Sequence, residues 1–357
     1  MARILTYAEA IREAVEQEMA RNESIVILGL GVTDHKGTYG TTTGLQERFP
    51  GRVIETPLSE DAMTGVAIGM AMAGLRPVHV HVRMDFMLLA MNQIVNMAAK
   101  LTYMQNGAAS VPLVIRGIIG RGWGQGAQHS QVLHSFFAHV PGLTVVAPAT
   151  PYDAKGCMIR ALRMKSPVIF VEHRMLYKTE GHVPEEGYEV DFGTRVLADD
   201  EDADVTLVGI SYAALQCLRA GEMLKEIGLK VDVINPIGLR PLDAAPIIHS
   251  VSKTERLLVV DVGWESCGIG AEIIARVAER ACASARKSRY FSNSTYYFDR
   301  MGFASVPCPT AKVLENEFYP STSAIATRAA GMAYDFVKVW NAPDVEDVEI
   351  AQFKGPF

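Results

Sequence analysis

The feature that most constrains the fold is an alternation along the chain. Short apolar runs rich in branched residues take turns with longer amphipathic segments. This alternation predicts parallel strands joined by helices, and continuously apolar strands indicate a sheet that is covered on both faces. In the first half the predicted strands are Ile25–Leu28, Val53–Glu55, Pro77–Val82, Pro112–Arg116, Leu143–Ala147 and Val168–Val171, and the predicted helices are Glu60–Ala73, Met87–Tyr103, Gln131–Ala138 and Tyr152–Met164.

A second α/β pattern follows a polar segment, Glu172–Asp191, which contains Pro184, glycines and charges and is interpreted as a surface linker. Its strands and helices alternate as Asp204–Ile210, Ala213–Ile227, Lys230–Ile234, Asp243–Val251, Arg256–Val260 and Gly270–Cys282, with a last helix near Thr322–Val339. The sequence therefore predicts two α/β domains: residues 1–180 and 199–340, with a linker at 181–198 and a tail at 341–357.

Composition excludes several classes of protein. The 357 residues are 49% hydrophobic and 21% charged, which is typical of a folded chain, and the net charge of −6 argues against binding to nucleic acid. No apolar run reaches the length that crosses a membrane, and the first residues predict a helix with a capping box, Thr6 to Glu9, rather than a secretory signal. The five cysteines are widely spaced, so we expect five buried thiols and a cytoplasmic protein.

Generic motifs carry little weight here. The segment Gly122–Ala127 fits the loosest dinucleotide pattern, but the acidic partner for the ribose is missing, which favours a flexible or tightly turned loop. His79 and His81 face the same side of a predicted strand. They are half of a metal site or a packed neutral pair, and the lack of further ligands nearby favours the packed pair.

Two short segments suggest chemistry. In Glu55–Glu60 an extended run ends at a turn, and Glu60 begins a helix rich in Gly, Ala and Met. Because this helix is apolar nearly all round, we expect Glu60 to be buried and to have a partner. In the second segment, His129 stands where the glycine-rich loop ends and a helix starts, a position typical of a helix cap or of a catalytic loop at the carboxyl edge of a parallel sheet.

Together these segments resemble one family, the β subunits of thiamine diphosphate-dependent 2-oxoacid dehydrogenases (the E1 components). The resemblance runs in order along nearly the whole chain. It rests on Thr56–Glu60, Gly65–Pro77, Asn92–Lys100, Ala127–Gln131, His139–Leu143, Asp153–Gly156, Leu239–Asp243 and Gly268–Glu272.

The resemblance implies a transketolase-like fold, with a pyrimidine-binding domain followed by a smaller α/β domain. It also implies thiamine diphosphate as cofactor and an α subunit as partner, in an α2β2 assembly. In the family the α subunit supplies a Gly-Asp-Gly segment that binds Mg²⁺ and the diphosphate. That tripeptide is absent here, so we expect no metal ligand in this chain and no activity without the partner.

The resemblance also assigns roles to four residues. Glu60 matches the glutamate that hydrogen-bonds the aminopyrimidine nitrogen, where a shared proton favours the tautomer that activates the cofactor. Phe86 matches the aromatic residue that lies against the pyrimidine, and Leu58 is placed near the same ring. His129 matches a histidine that faces the reacting carbon and assists acyl transfer to a lipoyl group.

Three departures from the family pattern bear on these expectations. Leu30 and Gly31 stand where many members have two acidic residues, which puts any proton path through that acid in doubt. Met164 and Lys165 replace residues expected beside a monovalent cation, so that ion is not predicted. The stretch Ala283–Arg300 looks longer than its counterpart and is either a partner-specific surface loop or a solvated insertion.

The resemblance thus implies oxidative decarboxylation of a 2-oxo acid, with the acyl group passed to a lipoyl acyltransferase carrier. One alternative keeps the cofactor but has no lipoyl partner: a decarboxylase or carboligase of a biosynthetic pathway. A second alternative is a non-catalytic scaffold subunit, against which the presence of Glu60, Phe86 and His129 argues. Apolar residues such as Met84 and Met87 are candidates for a substrate pocket and suit several 2-oxo acids.

Overall fold

The computed structural model describes residues 3–287 and 296–352, and the chain divides into two compact units. The first unit runs to Arg121 and also contains Gln128–Phe192 and Leu239–Pro241. The second unit contains Gly122–Ala127, Gly193–Gly238 and the chain from Leu242 onward. The predicted α/β architecture is confirmed, whereas the exact bounds predicted for domains, linker and tail stay a prediction.

The described part of the first unit contains nine strands, seven of which form one sheet. The strands are β1 (Ile4–Thr6), β2 (Ile25–Gly29), β3 (Val53–Glu55), β4 (Arg76–His81), β5 (Val114–Ile119), β6 (Thr144–Val146), β7 (Val168–His173), β8 (Glu180–His182) and β12 (Gly238–Arg240). The order across the seven-stranded sheet is β12-β6-β7-β5-β4-β2-β3, and the neighbours from β6 to β3 pair in parallel. A separate antiparallel pair is formed by β1 and β8.

Helices of the first unit cover this sheet, whose strands are buried nearly throughout. The expected capping box of the first helix is present, since Thr6 accepts from the Glu9 amide and Glu9 accepts from the Thr6 amide. The α-helices are α1 (Tyr7–Arg21), α2 (Leu45–Arg48), α3 (Glu60–Met72), α4 (Ala99–Met104), α5 (His134–Ala138) and α6 (Pro151–Arg163); 3₁₀ turns lie at Met84–Ala90, Ala127–His129 and Arg174–Leu176, and a π-helical turn at Asn92–Ala98.

The second unit has a five-stranded sheet of order β14-β13-β10-β11-β9, parallel except for the edge strand β9. Helix α11 packs against α7, and α8 and α9 pack against strand β13. The strands are β9 (Thr194–Ala198), β10 (Val205–Gly209), β11 (Val231–Pro236), β13 (Arg256–Trp264) and β14 (Tyr297–Phe303), and the helices are α7 (Tyr212–Lys225), α8 (Ala245–Thr254), α9 (Ile269–Lys287), α10 (Lys312–Phe318), α11 (Thr322–Ala333) and α12 (Val348–Gln352).

The interpretation of Glu172–Asp191 as a surface linker is wrong at its start. Glu172 belongs to β7, is completely buried, and pairs with the equally buried Arg116 of β5 at 2.5 Å. Arg116 also donates to the Thr41 hydroxyl, and the Tyr177 hydroxyl donates to Glu172. The sequence places Glu172 at the surface because the segment around it is polar. Its cationic partner, Arg116, lies 56 positions away and is not visible in that local pattern.

Two further expectations are corrected. Cys157, Cys217 and Cys308 are buried free thiols as expected, but Cys267 is exposed. Within Ala283–Arg300, α9 continues to Lys287 and β14 begins at Tyr297, so these parts are regular elements; residues 288–295 lie outside the described residues. In the part of the chain that the structure describes, no helix combines the length and apolarity needed to cross a membrane.

Candidate active site

The candidate site residues follow neighbouring strands of the first unit at one edge of its sheet. Glu60 follows β3, Phe86 follows β4, and His129 lies beyond the loop that follows β5. Because β3, β2, β4 and β5 are adjacent and parallel, the segments that leave their carboxyl ends leave at the same edge. In open α/β sheets this edge is where ligands bind.

Phe86 and His129 are in direct contact. Their ring centroids are 5.3 Å apart, with an edge-to-face angle of 78°. The segment before Phe86 also holds the backbone around His129: Arg83 donates to the His129 carbonyl at 2.7 Å, and the Asp85 carboxylate accepts from the Gln131 amide at 2.8 Å. Burial raises the pKa of Asp85, although the amide hydrogen bond acts in the opposite direction.

Arg83 and Asp85 were missed by sequence reasoning. The available signal was the pair of charges in Val82–Met87, an otherwise apolar stretch that leads into a turn. Both side chains are buried, and buried charges need partners. The identity of those partners, a carbonyl and an amide 46 positions away, is not visible in the sequence.

The ring of His129 has an unused buried nitrogen. Its Nδ1 atom is shielded from solvent and has no hydrogen-bond partner among residues 3–287 and 296–352, while the ring as a whole is half-buried. A buried imidazole nitrogen without a partner is costly unless a bound group completes its hydrogen bonding. The Nδ1 atom of His129 therefore has a hydrogen-bonding capacity that the described residues do not use.

Glu60 is not buried in the way the sequence predicts. It is the first residue of α3 and only half-buried, and its carboxylate forms no hydrogen bond or ion pair within the described part of the chain. The expectation fails because α3 buries one side only, through Thr64, Ala67, Ile68 and Ala71. Its other side is apolar and exposed, with Val66 at 48% and Met72 at 51% exposure.

Leu58 lies in the turn before α3 and is 75% exposed. Met84 and Met87, by contrast, are completely buried and pack around Gly117 of β5, so in this chain they belong to the core and not to an open substrate pocket. The interpretation of these two methionines as pocket residues is wrong. The two side chains fill the space next to Gly117, where an added Cβ would lie 2.7 Å from the Met84 Cε atom.

The two histidines of β4 form the packed pair that the sequence favours. The rings of His79 and His81 are 4.3 Å apart and buried, and the Thr64 hydroxyl of α3 lies 3.4 Å from His81 Nε2. Burial lowers the pKa of His79 to about 4 and holds the pKa of His81 well below its ordinary value. Both rings are neutral at pH 7 and support β4 directly before the turn with Phe86. In the described ranges no three His, Cys, Asp or Glu side chains are grouped to hold a metal ion.

Glu55 organises the loop that carries the unusual pair Leu30 and Gly31. Its carboxylate accepts from the Gly31 amide at 2.6 Å and from both the amide and the hydroxyl of Thr33. Gly31 has a φ of +68°, a conformation that suits glycine. Leu30 is 38% exposed, so an apolar side chain stands where an acid is common in the family that the sequence resembles.

Comparisons with known proteins agree with the fold of this chain. Residues 4–180 match the model of the transketolase pyrimidine-binding domain, and residues 194–325 match that of the transketolase C-terminal domain. Among solved structures, a split-gene transketolase described as an inactive β4 tetramer gives a TM-score of 0.73 at 17% identity, over 92% of this chain and 98% of that one. The transketolase from Leishmania mexicana gives 0.68 at 16% identity, over 98% of this chain and 48% of that one. Fold and domain matches together define a transketolase-like chain with a pyrimidine-binding domain.

Curated relatives give the narrower assignment. The chain is 39% identical over 339 residues to the β subunit of acetoin:2,6-dichlorophenolindophenol oxidoreductase from Cupriavidus necator, covering 92% of this chain and 97% of the relative. It is 37% identical over 331 residues to the pyruvate dehydrogenase E1 component subunit β of Rickettsia felis, covering 92% and 98%. With the mitochondrial subunit of Bos taurus the identity is 36% over 325 residues, covering 90% and 88%. The chain belongs to the family of E1 β subunits of thiamine diphosphate-dependent 2-oxoacid dehydrogenases.

The described residues fit the pyrimidine part of that cofactor. Glu60 offers a carboxylate without a partner, Phe86 offers a half-buried aromatic ring, and His129 offers the unused Nδ1. A flat, basic heterocycle can stack on the aromatic ring and form hydrogen bonds with the carboxylate and the imidazole.

Proposed function

We propose that this chain is the β subunit of a thiamine diphosphate-dependent E1 enzyme that decarboxylates a 2-oxo acid and passes the acyl group to a lipoyl carrier. The observation that carries the proposal is the contact of Phe86 with His129, whose Nδ1 is unused, at the sheet edge where α3 begins with Glu60. Family membership implies the cofactor class, and the roles of individual residues are those that the resemblance implies, with this geometry as support.

Each residue has a distinct task in the proposed mechanism. Glu60 would share a proton with the ring nitrogen of a bound pyrimidine, and a half-buried carboxylate at a helix start is suited to this exchange. Phe86 would lie against the face of that ring, and Leu58 would border it. His129 would move a proton at the acyl group during its transfer, and Phe86, Arg83 and Asp85 hold its ring and backbone in place for this task. When bound, thiamine diphosphate supplies the electron sink for the loss of carbon dioxide.

The proposal requires an α subunit, and the relatives are named as β subunits. We infer an α2β2 assembly in which the α subunit holds Mg²⁺ and the diphosphate. The exposed apolar side of α3 supports this inference, since Val66, Met72 and the neighbouring Leu89, which is 61% exposed, would be covered by another chain. The same cover would complete the burial of Glu60 that its apolar helix predicts.

The first experiment is calorimetric titration of thiamine diphosphate with Mg²⁺ into this chain alone and into its complex with the co-expressed α partner. We expect binding only in the complex. Pyruvate and other 2-oxo acids are then screened with a dye acceptor and with a lipoyl acceptor. Acetoin joins the screen because a relative at 39% identity is named for it.

Glu60→Gln tests the proton role, and Asp61→Asn is its matched control one residue further along the same exposed helix start. We expect Glu60→Gln to lower kcat by roughly 10²- to 10⁴-fold, the range for loss of a positioned acid or base, with Asp61→Asn close to wild type. Dye reduction without acyl transfer would favour the decarboxylase or carboligase alternative. Absence of cofactor binding in the assembled complex would leave the scaffold alternative.

A further inference from the structure

The glycine-rich loop before His129 is held by a buried carboxylate. Its residues Gly122–Ala127 belong to the second unit, as does Glu315 of α10. The Glu315 side chain is 4% exposed and accepts two backbone hydrogen bonds, from the Trp123 amide at 2.8 Å and from the Gly124 amide at 2.9 Å. One carboxylate thus binds two successive amides of the loop, one with each oxygen.

Tyr319, just after α10, extends this arrangement. Its hydroxyl accepts from the Gly122 amide at 3.2 Å and donates to Glu315 at 3.5 Å. Three consecutive amides, those of Gly122, Trp123 and Gly124, therefore end on two linked side chains. We call Glu315 and Tyr319 the loop anchor.

The loop needs such an anchor because its backbone is strained. Trp123 has a φ of +47°, in the left-handed region that non-glycine residues rarely adopt. Gly124 and Gly126 also have positive φ, and a Cβ on Gly126 would lie 2.8 Å from the Thr310 Cγ2 atom. Hydrogen bonds from amides to a buried carboxylate are among the strong ones, so they offset this strain.

The anchored part of the loop leads directly into His129, whose own backbone is held by Arg83. Arg174 fixes the start of the loop by donating to the Gly120 and Arg121 carbonyls. The loop is thus fixed at its start and end by buried arginines and in its middle by the anchor.

We propose that Glu315 is a positioning residue for the proposed acyl-transfer step. It fixes the backbone path of Gly122–Gly124 and thereby the approach of the chain to His129. The inference rests on the proposed function of His129, but the holding of the loop does not. Glu315 touches no reacting group; it acts through the loop.

The structural half of the proposal is tested by amide hydrogen exchange on the complex with the α partner. Glu315→Gln replaces one acceptor oxygen by an amino group, whereas Glu317→Gln makes the same change at an exposed position of the same helix. We expect exchange at Trp123 and Gly124 to accelerate roughly ten- to 100-fold in Glu315→Gln only, as loss of a hydrogen bond to a charged group implies. Trypsin cleavage after Arg121 should accelerate with it. Unchanged exchange and cleavage in Glu315→Gln would overturn the proposal.

The functional half is tested by comparing two acceptors. We expect Glu315→Gln to slow acyl transfer to a lipoyl domain at least tenfold while dye reduction stays within about twofold, because only the first reaction uses His129 in the proposed mechanism. Equal loss of both activities would indicate a purely structural role and overturn the proposal. If Glu315→Gln does not fold, Tyr319→Phe removes one anchor bond and should give the same pattern with a smaller shift. A wild-type complex inactive with both acceptors would refute the proposed function, while the exchange experiment would still decide whether Glu315 holds the loop.

Discussion

At the scale of single residues, the first unit depends on a charge pair with no access to water. Arg116 and Glu172 are both completely buried, and Thr41 and Tyr177 complete their hydrogen bonding. Removing one member leaves the other charge buried and uncompensated, which typically costs about 3–5 kcal/mol. We therefore expect Arg116→Met to lower the free energy of unfolding by that amount, measured by urea denaturation followed by circular dichroism.

The double variant of Arg116→Met with Glu172→Gln separates charge from packing. Because it removes both charges, it should be less destabilised than the sum of the two single variants. Arg328→Ala is the control, since Arg328 pairs with Asp299 while 47% exposed and its loss should cost no more than about 1 kcal/mol. Additive losses in the double variant would contradict the assigned coupling.

At the scale of elements, β4 makes the stability of the first unit depend on pH. Burial lowers the pKa of His79 from 6.5 to about 4 and holds that of His81 well below 6.5. Between pH 6.5 and 4 the unfolded chain binds the proton of His79 and the folded chain does not, so stability falls as the pH falls. In this range His79 should contribute about 1.4 kcal/mol per pH unit, and His81 acts in the same direction.

Urea unfolding from pH 7 to pH 4.5 checks this dependence. His79→Phe keeps a ring beside His81 but cannot titrate. Its free energy of unfolding should therefore fall less steeply as the pH falls, by about 1.4 kcal/mol per pH unit. His139→Asn, at an exposed position, should follow the wild-type curve. A His79→Phe curve parallel to that of the wild type would show that His79 binds its proton equally in the folded and unfolded states, contrary to expectation.

The same elements show what the sequence can and cannot reveal. Strand Val53–Glu55 and helix α3 follow from local periodicity, and the structure confirms them within a residue. The predicted helix Met87–Tyr103 is instead a 3₁₀ turn, a π-helical turn and the short α4. Asp85, in the first turn of this segment, accepts from Gln131, a partner 46 positions later that no local pattern reveals.

At the scale of the whole molecule, the burial of Glu60 could not be judged from one chain. Periodicity correctly identifies α3 as apolar nearly all round, but it cannot say which side the fold covers and which side is left for a partner. Contact between Phe86 and His129 was not predicted, because it joins two segments that are far apart in sequence. Sequence therefore predicted the elements that carry these residues better than the contacts and burial of their side chains.

The open side of α3 gives the last prediction. Gly69 lies on that side, and a Cβ built there meets no atom within 4 Å. Gly69→Ala should therefore stabilise the isolated chain by about 0.5–1 kcal/mol, because alanine is more stable than glycine in a helix interior.

If the proposed α partner packs closely on this side, Gly69→Leu should leave the fold of the isolated chain intact but weaken association by about 1–3 kcal/mol, roughly five- to 150-fold in Kd. Thermal unfolding of the chain and calorimetric titration of the α partner measure the two effects, with Glu222→Leu on the exposed side of α7 as a control for added apolar surface. Equal affinity of the Gly69→Leu and Glu222→Leu variants for the α partner would show that the partner does not bind on this side of α3. The proposal that the partner buries Glu60 would then be wrong.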